Sequence, residues 1–203
     1  MERKTKVLAI GDIHGDTGLV KRLAKKAERE HIDLVILAGD ITLGEKSPKN
    51  IIGPFIKAKK QVLIIPGNHE SVSTIDFLAK TYNIKNLHGS SFIKGDVGFF
   101  GAGLASEIGP YEAPESELFR LLENGEKDIQ RTEKRVMVTH MHPFGSKAEI
   151  FGFKGSKAIR KAIRKFKPDI LINAHIHESG GIEEKIGKTQ IFNVSKKEKI
   201  FEI

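Results

Sequence analysis

Three short runs of β-branched and aliphatic residues open this chain, Val7 to Ile10, Ile32 to Ala38 and Val62 to Ile65, and each ends abruptly in a polar cluster. The clusters read Gly11-Asp12-Ile13-His14-Gly15, Gly39-Asp40 and Gly67-Asn68-His69-Glu70, and Asp12, Asp40 and Asn68 are spaced 28 residues apart. That interval accommodates one strand plus one helix. Runs that are apolar at nearly every position belong to parallel strands covered on both faces. The polar residues therefore stand at equivalent points beyond the carboxyl ends of neighbouring strands, where sheets of this kind hold ligands.

The intervening segments fit this reading. Thr17 to Glu30 places Leu19, Leu23 and Ala27 at a spacing of four among Lys and Arg, an amphipathic helix. Pro48 to Ala58 is a weaker helix, because Gly53-Pro54 would kink or end it. Ser71 to Tyr82 is a helix with Ile75, Leu78 and Ala79 on its apolar face. Phe92-Ile93 and Val97 to Phe100 flank Gly95-Asp96 as a hairpin. Gly101 to Glu115, rich in Gly and Pro, reads as an irregular loop near the site.

Further on, Ser116 to Arg135 reads as mostly helical, and Ser156 to Phe166 as a helix with Ala158, Ile159, Ala162, Ile163 and Phe166 inward. Arg135 to Thr139 and Ile170 to Asn173 are buried strands, each followed by histidines: His140-Met141-His142 and Ala174-His175-Ile176-His177. Gly180 to Ile203 alternates and turns at Gly187-Lys188, as antiparallel strands do. No repeat longer than the strand-helix unit, no linker and no low-complexity segment interrupts the chain, so residues 1–203 are expected to form a single domain.

Bulk properties narrow the classes. The absence of cysteine excludes disulfides and thiolate zinc sites. No apolar run approaches the roughly 20 residues that span a bilayer. Four apolar residues, Val7 to Ile10, are too few for a signal-peptide core, so the expected location is cytoplasmic. A net charge of +8 attracts anions, phosphates among them, but abundant Lys and Glu without Cys equally mark heat-adapted proteins. The basic stretch from Lys154 to Lys167 has helical spacing and little aromatic interleaving, so it reads as a solvated helix face before a nucleic-acid stripe.

Aspartate, asparagine and histidine are ligands that borderline divalent metals accept, and two neighbouring metals need about this many. A carboxylate can give one oxygen to each metal, which makes Asp40, on the middle strand, the natural bridge. Asp12 and His14 suit the first metal and the amide oxygen of Asn68 the second, while His140, His175 and His177 complete both shells. As capping or turn residues, Asp12, Asp40 and Asn68 would be unremarkable singly. Their ordered combination with the histidines is not.

In order and spacing, Asp12-x-His14, Gly39-Asp40, Gly67-Asn68-His69-Glu70, His140 and His175-x-His177 resemble the signature of the calcineurin-like metallophosphoesterase superfamily. The resemblance implies an α/β fold, a single-domain α/β/β/α sandwich of mixed sheets flanked by helices. It implies Asp12, His14 and His177 on one metal, Asn68, His140 and His175 on the other, and Asp40 shared. The ions expected are Mn²⁺ first, with Fe, Zn²⁺, Co²⁺ and Ni²⁺ as alternatives. Water activated by them would attack phosphorus in line, with His69 stabilising charge or protonating the leaving oxygen.

Asp40 and His69 are thus the candidate catalytic residues, and Asn68, His69 and His142 the candidates to touch substrate. His142 is open to a second reading, a loop histidine before Pro143 with no such role. His31 and His88 have no motif around them and are expected in solvent. Ile41-Thr42-Leu43 stands where the superfamily's serine/threonine protein phosphatases continue Asp-Arg-Gly, which points away from that subgroup. Ala174 replaces a usual Gly, a change the loop is expected to tolerate. The expected activity is hydrolysis of a small phosphate mono- or diester, such as a nucleotide. A nuclease and a non-catalytic protein-interaction scaffold are the alternatives, and residues 42–48, 101–115 and 142–156 are the loops expected to set specificity.

Overall fold

The computed structural model describes residues 4–106 and 109–203. The opening Met1 to Arg3, and residues 107 and 108 of the expected loop, lie outside the described residues. The chain folds into two stacked mixed sheets with helices on both outer faces, an α/β/β/α sandwich. In the first sheet β1 (Lys6–Ile10), β2 (Leu34–Ala38), β3 (Gln61–Ile65) and the short β4 (Lys85–Asn86) run parallel. Helices α1 (Thr17–Arg29), α2 (Gly53–Lys57) and α3 (Val72–Tyr82) connect them.

The second sheet begins with the hairpin of β5 (Ser90–Lys94) and β6 (Val97–Ala102). Helix α4 (Glu115–Lys127) leads to β7 (Lys134–Thr139), and α5 (Lys157–Phe166) to β8 (Ile170–Asn173). The sheet closes with β9 (Glu183–Ile186) and β10 (Thr189–Asn193), in the order β5-β6-β7-β8-β10-β9. The final strand β11 (Lys199–Glu202) pairs antiparallel with β1 at the edge of the first sheet.

Alternation along the strands assigns each side chain to a layer. Val7, Ala9, Leu34, Ile36, Leu63 and Ile65 meet Phe99, Val136, Val138 and Ile172 between the sheets. Their neighbours Leu8, Ile10, Val35, Leu37, Val62 and Ile64 pack outward beneath α1, α2 and α3. This double coverage is why the runs are apolar at every position.

Four expectations need correction. The 48–58 helix is reduced to Gly53–Lys57, and Gly53-Pro54 begin it rather than break it. A proline in the first helical turn has no N–H to waste. The expected 116–135 helix stops at Lys127, and Thr132 Oγ1 closes the following turn by donating to the Ile129 carbonyl at 2.7 Å. The tail is not one antiparallel unit. Its hairpin turns at Gly187 (φ 62°), but β10 runs parallel to β8, and the chain then crosses to the other sheet as β11. His88 is half-buried, accepting from Gly103 N–H at 3.0 Å, whereas His31 is exposed.

The basic helix α5 buries the five apolar residues expected of it. Lys161 and Lys165 lie 4.1 and 5.5 Å from the Phe119 ring centroid, and Lys165 pairs with Glu123 at 2.6 Å. These cations are engaged with α4. No helix among the described residues is long and apolar enough to cross a membrane.

Candidate metal centre

Every candidate ligand follows directly on a parallel strand: Asp12 and His14 after β1, Asp40 after β2, Asn68 after β3, His140 after β7, and His175 and His177 after β8. Because the two sheets stack with these strand ends together, residues far apart in sequence converge. Four of the seven have left-handed backbones, at φ 54° for Asp12, 46° for His14, 50° for Asp40 and 76° for His175. Such conformations cost non-glycine residues about 1–3 kcal/mol each and persist where the surroundings enforce them, characteristically at functional sites.

Close packing supplies that enforcement. A Cβ on Gly67 would fall on the Asp40 carboxylate, and one on Gly39 would meet the His140 ring and the Gly67 backbone. A Cβ on Gly11 would strike the Ala174 methyl. The loop therefore accommodates Ala174, which is fully buried, by pairing it with a glycine on β1's end.

Two groups of ligand atoms form around Asp40. Asp12 Oδ1 lies 3.9 Å from His14 Nε2 and 3.6 Å from His177 Nε2, the two ring nitrogens are 3.1 Å apart, and His14 Nε2 is 3.7 Å from Asp40 Oδ2. On the other side Asn68 Oδ1 is 2.9 Å from both His140 Nε2 and His175 Nδ1, and His140 Nε2 lies 3.5 Å from Asp40 Oδ2. Ligands about 2.1 Å from a shared ion in tetrahedral or octahedral geometry are themselves about 3.0–3.5 Å apart.

The hydrogen bonding fits cations at both places. His14 donates Nδ1–H to the Thr42 carbonyl at 3.0 Å, and His140 donates Nδ1–H to the Ala38 carbonyl at 2.9 Å. Carbonyl acceptors fix those tautomers, so the Nε2 lone pairs face inward, as in metal-ligating histidines. Asp12 Oδ1 is buried with no hydrogen-bond partner, while its Oδ2 is held by Ser195 Oγ–H at 2.5 Å and His175 N–H at 2.9 Å. One carboxylate oxygen is anchored and the other left for an ion. The Asp40 Oδ1 is likewise anchored, by His69 N–H at 2.9 Å.

Charge is strongly organised. Burial alone would raise the Asp40 pKa, but the nearby His140 and the His69 N–H hold it well below the usual carboxylate range. Burial disfavours a charged His140, yet the Asp40 carboxylate outweighs this and lifts its pKa to about 9. Burial and then the His140 charge push His175 down to about 3. His177 is raised as well, by the Asp12 carboxylate beside it, so each of the two carboxylates favours positive charge on a neighbouring histidine.

His69 is partly exposed, with Nε2 3.9 Å from Asp40 Oδ2, and lines the crevice together with Leu43, Phe153, Glu178 and Lys196. His142 does not line it. That ring is wholly buried and donates Nε2–H to the Phe153 carbonyl at 3.2 Å. Of the loops expected to set specificity, 42–48 and 142–156 each contribute a crevice side chain. From 101–115, Tyr111 N–H reaches the Asn68 carbonyl at 3.3 Å.

Sequence reasoning missed Ser195 and Lys196, which have no motif and reach the site only because the tail crosses between sheets. Glu70 stood inside a quoted motif without a role. Fully buried, its carboxylate accepts from Thr42 N–H at 2.6 Å, Thr42 Oγ1–H at 2.8 Å and Gly67 N–H at 3.1 Å, so it joins the loops carrying Asp40 and Asn68.

An α/β/β/α sandwich with these aspartate, asparagine and histidine groups at its strand ends defines the metallophosphoesterase class. The model of the calcineurin-like phosphoesterase family matches residues 5–179, and the chain belongs to that family. Among solved structures, the protein TT1561 of Thermus thermophilus superposes with a TM-score of 0.76 at 15% identity, covering 98% of this chain and 99% of that one. A dimetal phosphatase from Danio rerio gives 0.66 at 14% identity over 95% and 88% of the two chains. A structure described as a novel archaeal phosphodiesterase gives 0.55 at 13% identity over 98% and 99%. At these identities the likeness is one of fold. No curated protein sequence matches the chain.

Proposed function

We propose that the chain is, as one domain, a hydrolase that uses two divalent cations to cleave phosphate mono- or diesters, with a small phosphodiester or nucleotide as substrate. The observation that carries this reading is the pair of ligand groups meeting at Asp40, whose Oδ2 lies 3.7 Å from His14 Nε2 and 3.5 Å from His140 Nε2. Asp12, His14 and His177 hold one ion, Asn68, His140 and His175 the other, and Asp40 both. The nitrogen and oxygen donor set suits Mn²⁺ first, then Fe, Zn²⁺, Co²⁺ or Ni²⁺. When bound, such a pair supplies an activated water and neutralises charge on the phosphoryl oxygens.

The protein's own groups position and complete that chemistry. Ser195 and the His175 N–H orient Asp12, and the His69 N–H orients Asp40. The His69 ring, at the crevice wall, is placed to stabilise charge on the phosphoryl group or to protonate the leaving oxygen.

Turnover of bis-p-nitrophenyl phosphate and p-nitrophenyl phosphate by the Mn²⁺-loaded protein tests the activity, and His69→Ala tests the assignment. The variant should retain its metals by elemental analysis and lose about 10²–10⁴-fold in rate, most on esters with poor leaving groups. Full rate on a poor leaving group would remove His69 from the mechanism. Strong, salt-sensitive cleavage of DNA would instead favour a nuclease.

A further inference from the structure

The crevice has apolar walls beside its metal ligands. Leu43 and Phe153 line it, yet they remain 46% and 41% exposed. Leu43 follows β2 and Phe153 follows β7, so each sheet contributes one of them. Large apolar side chains left in water beside a site forgo the stabilisation that burial brings, and a ligand seated there can cover them.

Neither is exposed by slack in its loop. The Glu149 carboxylate accepts from Gly145 and Gly155 N–H, both at 2.9 Å, and the buried His142 ring grips the Phe153 carbonyl. On the other wall, Thr42 N–H is bound by Glu70, and Glu45 N–H donates to the His69 carbonyl at 3.1 Å. Glu45 also accepts from Ser71 N–H at 2.9 Å and Thr74 Oγ1–H at 2.7 Å. Both apolar groups are thus held out over the crevice by bonded backbone.

The charged lining is sparse. Among the described residues, apart from Asp40 and the histidines, it consists of Lys196 and Glu178, one ammonium against one carboxylate. That set offers no cluster of cations for a second phosphoryl group or a polyanionic backbone.

Resting on the phosphoesterase reading above, the geometry points to a specificity slot: Phe153 and Leu43 receive a flat aromatic group on the ester arm that stays on the reacting phosphate, so the favoured substrate is a diester carrying a single phosphate and an aromatic retained arm. The aromatic ring stacks on Phe153 while Leu43 covers the opposite wall, and His142 acts as a positioning residue for Phe153.

Three diesters that release the same p-nitrophenolate separate this idea from the chemistry: bis(p-nitrophenyl) phosphate, thymidine 5′-(p-nitrophenyl phosphate) and methyl p-nitrophenyl phosphate. With the Mn²⁺-loaded protein, KM should be lower for the two diesters whose retained arm carries an aromatic ring than for the one whose retained arm is methyl. The better of the two tells whether the slot takes an aryl ring or a nucleobase. Phe153→Ala should raise their KM about tenfold more than that of the methyl ester. Phe153→Leu should recover part of the loss, Leu43→Ala should give a smaller rise, and thermal melts should confirm folding. Equal changes for all three esters, or none, would overturn the slot. Failure of the wild type to cleave any of them overturns the phosphoesterase reading instead. The slot is then judged by calorimetric binding of phenyl phosphate against methyl phosphate to the same protein. A several-fold preference lost in Phe153→Ala supports it, and equal affinities refute it.

Discussion

Glu70 is the buried carboxylate whose removal bears most directly on how the candidate metal centre is held together. It accepts the backbone N–H groups of Thr42 and Gly67 and the Thr42 hydroxyl, tying the loop after β2 to the loop after β3. Burial and the nearby Asp40 charge raise its pKa to about 7 against the pull of those donors. Glu70→Ala leaves two buried N–H groups without acceptors, at about 1–3 kcal/mol each, or about 2–6 kcal/mol in all. The hydroxyl can turn elsewhere, and water entering the vacated space brings the result toward the lower half.

Glu70→Gln keeps the shape and one carbonyl oxygen for Thr42 but sets an amide donor against Gly67 N–H. That is one lost bond and a loss of about 1–3 kcal/mol. The expected order of stability in urea unfolding of the metal-free protein is wild type, Gln variant, Ala variant. Metal affinity by calorimetry should fall in the same order, because Asp40 and Asn68 lose their fixed separation. An alanine variant within about 0.5 kcal/mol of wild type, binding metal normally, would refute the claim that this carboxylate joins the two loops.

Two other measurements address the site and the surrounding fold. Mn²⁺ at 100 times its dissociation constant should stabilise the protein by about 2.7 kcal/mol, roughly 5–10 °C in Tm, and Asp40→Asn should abolish most of that shift; an undiminished shift would show that Asp40 holds no ion. His88 has its pKa lowered by burial and uses neutral Nδ1 to accept from Gly103 N–H. The unfolded chain therefore binds a proton on His88 more readily than the folded one, and stability falls as pH drops below about 6.5. His88→Asn keeps an acceptor without a titrating ring, so its unfolding free energy should decline less than the wild type's between pH 7.5 and 5; parallel curves would place the lost stability elsewhere.

Much of the candidate metal centre could be read before any coordinates. Apolar runs such as Val35 to Leu37 report double-sided burial, and a repeated strand-helix interval places Asp12, Asp40 and Asn68 at matching strand ends. Where the reading failed, local cues were ambiguous. Gly53-Pro54 can stop a helix or start one, and His88 stands in no motif that reports its bond to Gly103.

Periodicity along a chain encodes which residues form an element and which face they bury, because those depend on neighbours within a few positions. That was enough to locate the buried parallel strands β1, β2, β3, β7 and β8, the helices α1, α3 and α5, and the candidate ligands. Which strand ends meet is decided by sheet order and stacking, and there only the tertiary structure speaks. The bond from Ser195 to Asp12 spans 183 positions, and it exists because the tail leaves β10 in one sheet and enters β11 in the other. The pairing of Leu43 and Phe153 around one crevice has the same origin: the Phe153 loop is held by bonds within itself, the Leu43 loop by bonds to the segment after β3, and stacking of the two sheets brings the two loops together.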